Sequence, residues 1–420
     1  MNEQSSDTNP DPNNSWRTRT PGHDGWSRTA QPEDSDKFFM VSADGHVQEP
    51  NDLWSTRLDA AYKDRLPGMV VDSKGDKFQK TEGFRPVRLQ NTVFEGEDLL
   101  RNQSGKDPAA RIADLAADGV DAEILFPNKG LTIWATPDSK FSHLMCKAYN
   151  EWAWETFADF NDQLMPMACI APGALEESIG EINRCAKLGF KGLSLPCKPR
   201  WGAPDHKAPN YNLPEFDPLW ACIADVDLPI TFHVSTGRDP RTSRGNGGAV
   251  INYAVHSLSP TMEPIANLCA SGVLDRFPTI KFGTIEAGIG WVAWALAALD
   301  EAYKKHHMWV RPKLKALPSD YFRSNGFASF QEDKAGLDNA RGHDLVGNFL
   351  WANDFPHHEG TWPHSAAAIE RTMINLDDAE RAQILGLNSA RIFNIPIPER
   401  YHKQRDVADQ HSKQAPNQST

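Results

Sequence analysis

The chain has 420 residues, a formal net charge of -12 and 24% charged residues. That length allows one large or two ordinary domains, and the acidic balance excludes a broad phosphate-binding surface and with it nucleic acid as a partner. No apolar run approaches the roughly 20 residues that a membrane span needs, and Met1 to Trp16 is polar throughout, so neither a membrane anchor nor a secretion signal is expected.

Residues 1–36 are rich in Asn, Asp, Ser, Thr and Pro and are predicted to be a disordered N-terminal arm. Trp16 and Trp26 stand out in it and suit packing on the body or on a neighbouring subunit. The ordered domain is expected over 37–395, followed by a flexible tail at 396–420. Its first strand runs through Phe38 to His46 and is followed by an excursion, Asn51 to Lys106, with a hairpin arm around Phe84 to Leu89. Pro108 to Ala117 reads as a helix, with Asp107 as N-cap, proline at its first position and Gly119 ending it.

From there strand-like and helix-like segments alternate. The strands are Asp121 to Pro127, Met165 to Ile170, Lys191 to Leu195, Pro229 to Val234, Thr279 to Ile285, Phe327 to Gln331 and Asn348 to Asn353. Between them lie helices at Ser139 to Phe160, Leu175 to Leu188, Pro214 to Val226, Met262 to Ser271 and Ile289 to Lys305, and two short helices follow at His364 to Ile374 and Asp378 to Leu385. This alternation predicts an α/β fold, a closed (β/α)8 barrel. An open doubly wound sheet is the alternative, but it would want a glycine-rich phosphate turn after the first strand, and Asp44-Gly45-His46 is not one. The six cysteines, Cys146, Cys169, Cys185, Cys197, Cys222 and Cys269, form no C-x-x-C pair. They are expected to be buried reduced thiols in a cytoplasmic protein.

In a barrel of this kind, active groups sit at the C-terminal ends of the strands. Asp44, His46, His233, Glu286 and Asp354 all fall there. Asp44 and His46 are two residues apart on a strand and so can face one point. Imidazoles and carboxylates together suit Zn²⁺, Mn²⁺ or Fe²⁺. Glu49, His256 and His357 lie close enough in the chain to these positions to complete a second metal site, which leaves one or two divalent ions per chain open. The loop after His233 carries Arg238, Arg241 and Arg244 among glycines; such guanidinium groups suit a small carboxylate substrate. Trp291 is a candidate for the apolar wall of the same pocket. Asp354 and His357 are the candidate acid–base pair.

These motifs carry a resemblance. Asp44-Gly-His-Val-Gln-Glu-Pro50, Gly189-Phe-Lys-Gly192, Ser271-Gly-Val-Leu-Asp-Arg-Phe-Pro278, Glu286-Ala-Gly-Ile-Gly-Trp291, Asp354-Phe-Pro-His357 and Asn388-Ser-Ala-Arg-Ile-Phe393 resemble the amidohydrolase-related branch of the amidohydrolase superfamily. The resemblance runs from about Phe38 to Ile395. It implies a distorted TIM barrel with divalent metal held by residues of strands one, five, six and eight. The branch holds hydrolases, non-oxidative decarboxylases and a few iron-dependent oxygenases. Two departures stand out: Asp44 replaces the first His of the superfamily's His-x-His, and Glu286 stands where many members carry His. Both exchange imidazole for carboxylate, which favours Mn²⁺ or Fe²⁺ over Zn²⁺.

The leading expectation is a metal-dependent hydrolase of a small carboxylate-bearing amide, ester or lactone, working through activated water. The alternatives are non-oxidative decarboxylation, O₂-dependent hydroxylation at a dinuclear iron or iron–manganese site, and a structural subunit paired with a catalytic paralogue. A homo-oligomer or such a heteromeric pairing is the expected assembly.

Overall fold

The computed structural model describes residues 37–88, 99, 105–200, 209–237, 243, 245–306, 309, 311–357 and 359–414. The N-terminal arm at 1–36 with Trp16 and Trp26, and the arginines Arg238, Arg241 and Arg244, lie outside them.

The strands in chain order are β1 (Val41–His46), β2 (Gly68–Val71), β3 (Lys77–Thr81), β4 (Phe84–Arg88), β5 (Ala122–Phe126), β6 (Leu164–Pro166), β7 (Ala168–Cys169), β8 (Leu193–Leu195), β9 (Ile230–His233), β10 (Phe282–Ile285), β11 (Gly326–Phe330) and β12 (Phe349–Trp351). β2, β3 and β4 form a small antiparallel sheet, the hairpin arm of the excursion after strand one. The others pair in parallel as two runs, β1-β5-β6 and β7-β8-β9-β10-β11-β12.

Main-chain hydrogen bonds join the runs at both ends. β6 and β7 are halves of one strand interrupted at Met167, whose N–H still donates to Leu125 O at 2.9 Å while Ala168 N donates to Gly192 O at 3.0 Å. At the other seam Gly45 bridges in parallel to Phe355. There His46 N donates to Phe355 O at 2.8 Å and Asp354 N to Asp44 O at 3.1 Å. The strands thus follow one another in circular order, as the alternation of segments predicted for a distorted (β/α)8 barrel.

Burial explains why these runs are strands. β1, β5, β9, β10 and β11 are buried along their whole length, as parallel strands covered by helices must be. The helices between them bury one face each. Helix Pro108–Ala117 starts as its sequence predicts, with the Asp107 side chain accepting from Ala110 N. Helix Leu175–Leu188 stops at Gly189, whose φ of 112° is a left-handed conformation that glycine adopts without strain. All six cysteines are free and buried, as expected. Among the described residues no helix is long and apolar enough to cross a membrane.

One element departs from expectation. The segment read as a flexible tail from 396 instead continues as helix His402–Gln414, docked beside the start of β1. Tyr401 and Ala408 are buried at 3% and 1% exposure. Gln404 accepts from Phe39 N at 3.2 Å and donates to Lys37 O at 2.5 Å. Tyr401 Oη donates to Asp121 Oδ1 at 2.9 Å and accepts from Lys37 Nζ at 3.1 Å. Its polar composition hid it, because only a few side chains anchor it. Tyr401→Ala is therefore expected to destabilise the fold by about 3–5 kcal/mol, the usual range for deleting a buried aromatic. Urea denaturation checks this, and an unchanged midpoint would mean that the helix does not dock.

Candidate metal centre

The C-terminal ends of the barrel strands gather a buried group of donors. β1 contributes Asp44 and His46, both at 0% exposure. The route by which they meet is not simple strand alternation. Between Ser42 and Gly45 the register of β1 against β5 slips, so three steps along β1 match two along β5. Such a bulge re-aims side chains, and bulges are over-represented beside active sites. His233 is the last residue of β9. Glu286 follows β10 directly and Asp354 follows β12 by three residues; both take left-handed φ values, 58° and 54°. A non-glycine residue held there costs about 1–3 kcal/mol and tends to be found at functional sites. The Glu286 conformation is braced by its own N–H, which donates to Ser329 Oγ at 3.0 Å.

The donor atoms converge. His46 Nε2 lies 3.6 Å from Asp44 Oδ1, 3.3 Å from Asp354 Oδ1 and 3.8 Å from Glu286 Oε2. His233 Nε2 lies 3.4 Å from Asp44 Oδ1 and 3.5 Å from Glu286 Oε2. The His357 ring stacks on that of His46 with centroids 4.0 Å apart, and its Nδ1 is 3.1 Å from Asp354 Oδ1. Two overlapping groups have ligand atoms within 4.8 Å of one another: Asp44, His46, His233 and Glu286, and His46, Glu286, Asp354 and His357.

Two observations test whether a divalent cation fits. The first is tautomer control. His46 Nδ1 bonds Pro127 O at 2.9 Å and His233 Nδ1 bonds Val234 O at 2.9 Å. A carbonyl oxygen only accepts, so each Nδ1 carries the proton. In the neutral ring the Nε2 lone pair is then free and faces the cluster, the arrangement that orients metal-binding imidazoles. The second is the orphaned polar atoms. Both carboxylate oxygens of Asp44 and of Asp354, with Nε2 of His46 and of His233, are buried without a hydrogen-bond partner among the described residues. Buried polar groups are otherwise almost always satisfied, and a cation satisfies all of these at once.

The electrostatics agree. Burial, then the neighbouring Asp354 charge, raises Asp44 well above the carboxylate range, and the same two causes push Glu286 up to about 7. Burial lowers His233 to about 4, which keeps it neutral. Burial also pulls on His46, but the surrounding carboxylates outweigh it and raise its pKa. Asp354 stays low despite burial, because His357 and His46 face it. The raised Asp44 and Glu286 carboxyls show that negative charge is crowded in this pocket, and a divalent cation would offset it.

The structure brings together Asp44, His46, His233, Glu286, Asp354 and His357 of the candidates read from sequence. It does not bring in the other three that it describes. Glu49 is buried, but its carboxylate accepts from the N–H groups of Asn128 and Gly130 at 2.9 Å and of Lys129 at 3.1 Å, so it anchors the turn after β5. His256 is buried in the π-helical turn Asn252–Leu258 and belongs to neither donor group. Trp291 belongs to neither donor group; it donates its Nε1–H to Gly288 O at 3.0 Å, bracing the turn after Glu286, and its place in the pocket wall stays a proposal. Sequence reading missed Arg111 and Glu123, a fully buried ion pair at 2.6 Å beside β1. The available signal was a charged residue in the middle of the apolar strand Ala122–Phe126.

A parallel barrel with buried imidazoles and carboxylates at its C-terminal mouth defines a class of metal-dependent enzymes. Residues 43–395 match the amidohydrolase family, and the chain belongs to it. It is 23% identical over 351 residues to gamma-resorcylate decarboxylase of Rhizobium radiobacter, covering 76% of this chain and 95% of that one. Among solved structures it is similar to an amidohydrolase of Mycobacterium avium subsp. paratuberculosis K-10, with a TM-score of 0.66 and 19% identity over 86% of this chain and 99% of that one. It is also similar to a dihydroxybenzoic acid decarboxylase of Polaromonas sp. JS666, solved with manganese and 2-nitroresorcinol, with a TM-score of 0.59 and 17% identity over 86% and 99% of the chains. The relatives thus favour the decarboxylase alternative over the hydrolase that led the sequence reading.

The pKa directions give a pH dependence. A carboxylate raised by folding favours its protonated form in the fold. In the metal-free protein the Glu286 contribution to stability is thus full below its ordinary 4.5 and is lost as pH rises through about 7. Metal requires the ionised form. Mn²⁺ affinity is therefore expected to fall by roughly tenfold or more between pH 8 and pH 5.5, with a shallower fall in Glu286→Gln. Isothermal titration at several pH values measures this, and a flat profile would exclude Glu286 as a ligand.

Proposed function

We propose that this protein is a divalent-metal-dependent, non-oxidative decarboxylase of a small hydroxylated aromatic carboxylate. The observation that carries the proposal is the pairing of a four-donor set, Asp44, His46, His233 and Glu286, with a further buried carboxylate, Asp354, that His357 backs at 3.1 Å. The gamma-resorcylate decarboxylase relative supports the reaction, and the manganese in the Polaromonas structure supports the metal.

In this reading Asp44, His46, His233 and Glu286 hold the cation. Bound there, it supplies Lewis acidity toward the oxygens of the substrate and neutralises their charge. The protein's own groups handle the proton. Replacing CO₂ by hydrogen on a ring carbon requires one proton delivered as the carbon–carbon bond breaks. Asp354 is the group proposed to carry it, since both its oxygens are buried without a hydrogen-bond partner among the described residues. His357, 24% exposed on its side chain, connects Asp354 to solvent and restores the proton after each turnover. Arg238 and Arg241 are retained as proposed contacts for the substrate carboxylate.

Donor counting favours a second reading. His46 has its Nδ1 committed to Pro127 O, so it offers a single nitrogen. Asp354 and His357 are then left over from the four-donor set and can hold a second ion with Glu286. A dinuclear centre would suit oxygenation, and the number of metal ions per chain separates the two readings.

The test is release of CO₂ from a panel of hydroxybenzoates that includes gamma-resorcylate, using protein loaded with Mn²⁺ and assayed without oxygen. Asp354→Asn is expected to lower kcat by about 100- to 10,000-fold, the usual contribution of a general acid. Hydrolysis of esters or lactones with no CO₂ release would return the hydrolase, and O₂ consumption with two metal ions per chain would favour the oxygenase.

A further inference from the structure

Arg111, in helix Pro108–Ala117, and Glu123, on β5, are each at 0% exposure. A buried ion pair is not in itself a stabilising device, since apolar residues of similar volume often serve as well or better. What distinguishes this pair is where its remaining bonds go. Arg111 Nε donates to Glu123 Oε2 at 2.6 Å. Its Nη1 donates to His46 O at 2.8 Å, with a longer bond to Gly105 O at 3.4 Å, and its Nη2 donates to Phe355 O at 3.0 Å. His46 is a candidate ligand, and Phe355 directly follows Asp354. One planar group therefore grips both sides of the seam where the last strand meets the first.

Glu123 completes the arrangement from below. A Cβ added at Gly45 would lie 2.0 Å from Glu123 Oε1 and 2.4 Å from its Cδ. The chain between Asp44 and His46 passes over this carboxylate so closely that only glycine fits.

We infer that Arg111 and Glu123 are positioning residues for the metal centre. The guanidinium fork sets the spacing of Asp44 and His46 against Asp354, and Glu123 holds the fork in register beneath Gly45. The inference rests on the reading of this cluster as a metal site. Arginine is required rather than lysine, because a single ammonium cannot span two carbonyls and a carboxylate in this fixed geometry.

The experiment compares Mn²⁺ binding by titration, the electron paramagnetic resonance spectrum of the bound Mn²⁺, and the melting temperature of the metal-free full chain. Arg111→Lys keeps the charge and loses the fork. It is expected to weaken Mn²⁺ binding by about 10- to 100-fold, the range for residues that orient ligands, and to change the spectrum. Arg381→Lys is the control, since Arg381 is a buried arginine at 6% exposure that bonds Met373 O and Glu370 away from the cluster. It is expected to lower the melting temperature at least as much as Arg111→Lys while leaving Mn²⁺ affinity and spectrum unchanged. Glu123→Gln, which keeps an acceptor for Arg111, is expected to weaken Mn²⁺ binding less than Arg111→Lys and decides the matter if that variant does not fold. Wild-type affinity and spectrum in both variants, or a melting shift alone, would overturn the inference and leave the centre standing. Failure of the wild-type chain to bind Mn²⁺ would instead overturn the metal reading, and this inference with it.

Discussion

The mouth of the barrel concentrates negative charge among largely buried side chains. Asp44, Glu286 and Asp354 bring three carboxylates around two imidazoles, with Asp44 and Asp354 fully buried. Like charges a few ångströms apart in a low-dielectric interior repel strongly, and desolvation adds to the penalty. Two of these residues also sit in left-handed backbone conformations. A fold keeps so much local destabilisation only where the surrounding structure over-determines it. Here the closing seam of the barrel does so, through the bonds between Asp44 and Asp354 and between His46 and Phe355. A divalent cation held there would remove the repulsion and so couple its binding to folding.

The carbonyls that fix the imidazoles come from the same strand ends. Pro127 immediately follows β5 and Val234 immediately follows β9, so the barrel rim itself selects the tautomer of His46 and His233. No additional side chain is needed to orient these rings. That economy explains how a site of this density fits where the strands end, and why the residues next to the ligands matter through their backbone more than through their side chains.

The strands and helices of the barrel were legible because parallel strands covered on both faces leave continuous apolar runs, and because caps such as Asp107 and Gly189 have local causes. Five of the gathered donors, Asp44, His46, His233, Glu286 and Asp354, were legible for a related reason, as charged or imidazole residues at the ends of such runs, and His357 through its nearness in the chain to Asp354. What was not legible depends on contacts distant in sequence. Glu49 follows Asp44 and His46 closely in the chain, yet its carboxylate is taken by the N–H groups of Asn128, Lys129 and Gly130. Nothing local in Gln404 or Ala408 announces that the C-terminal helix docks ahead of β1, since the donor and the acceptor it uses belong to Phe39 and Lys37 respectively. The bulge in β1 was likewise hidden, because register is a property of the pair and not of one strand.

The reaction class is the part on which composition of the cluster bears most directly. With Asp44 and Glu286 in place of two imidazoles, the proposed ligand set is rich in anionic oxygen. Such a set would suit a hard cation such as manganese by ligand type. It also passes more charge to the ion, which lowers the acidity of anything the ion polarises. Hydrolysis depends on that acidity to make a nucleophile from water near neutral pH. Decarboxylation does not: it needs the substrate's oxygens held and their charge neutralised while a proton reaches carbon. In the proposed reading Asp354 and His357 would handle that proton, and the imidazoles that face Asp354 keep its pKa low. In the proposed reading, a buried carboxylate paired with an imidazole, beside a cation that would neutralise the substrate's oxygens, would be better matched to losing CO₂ than to splitting water.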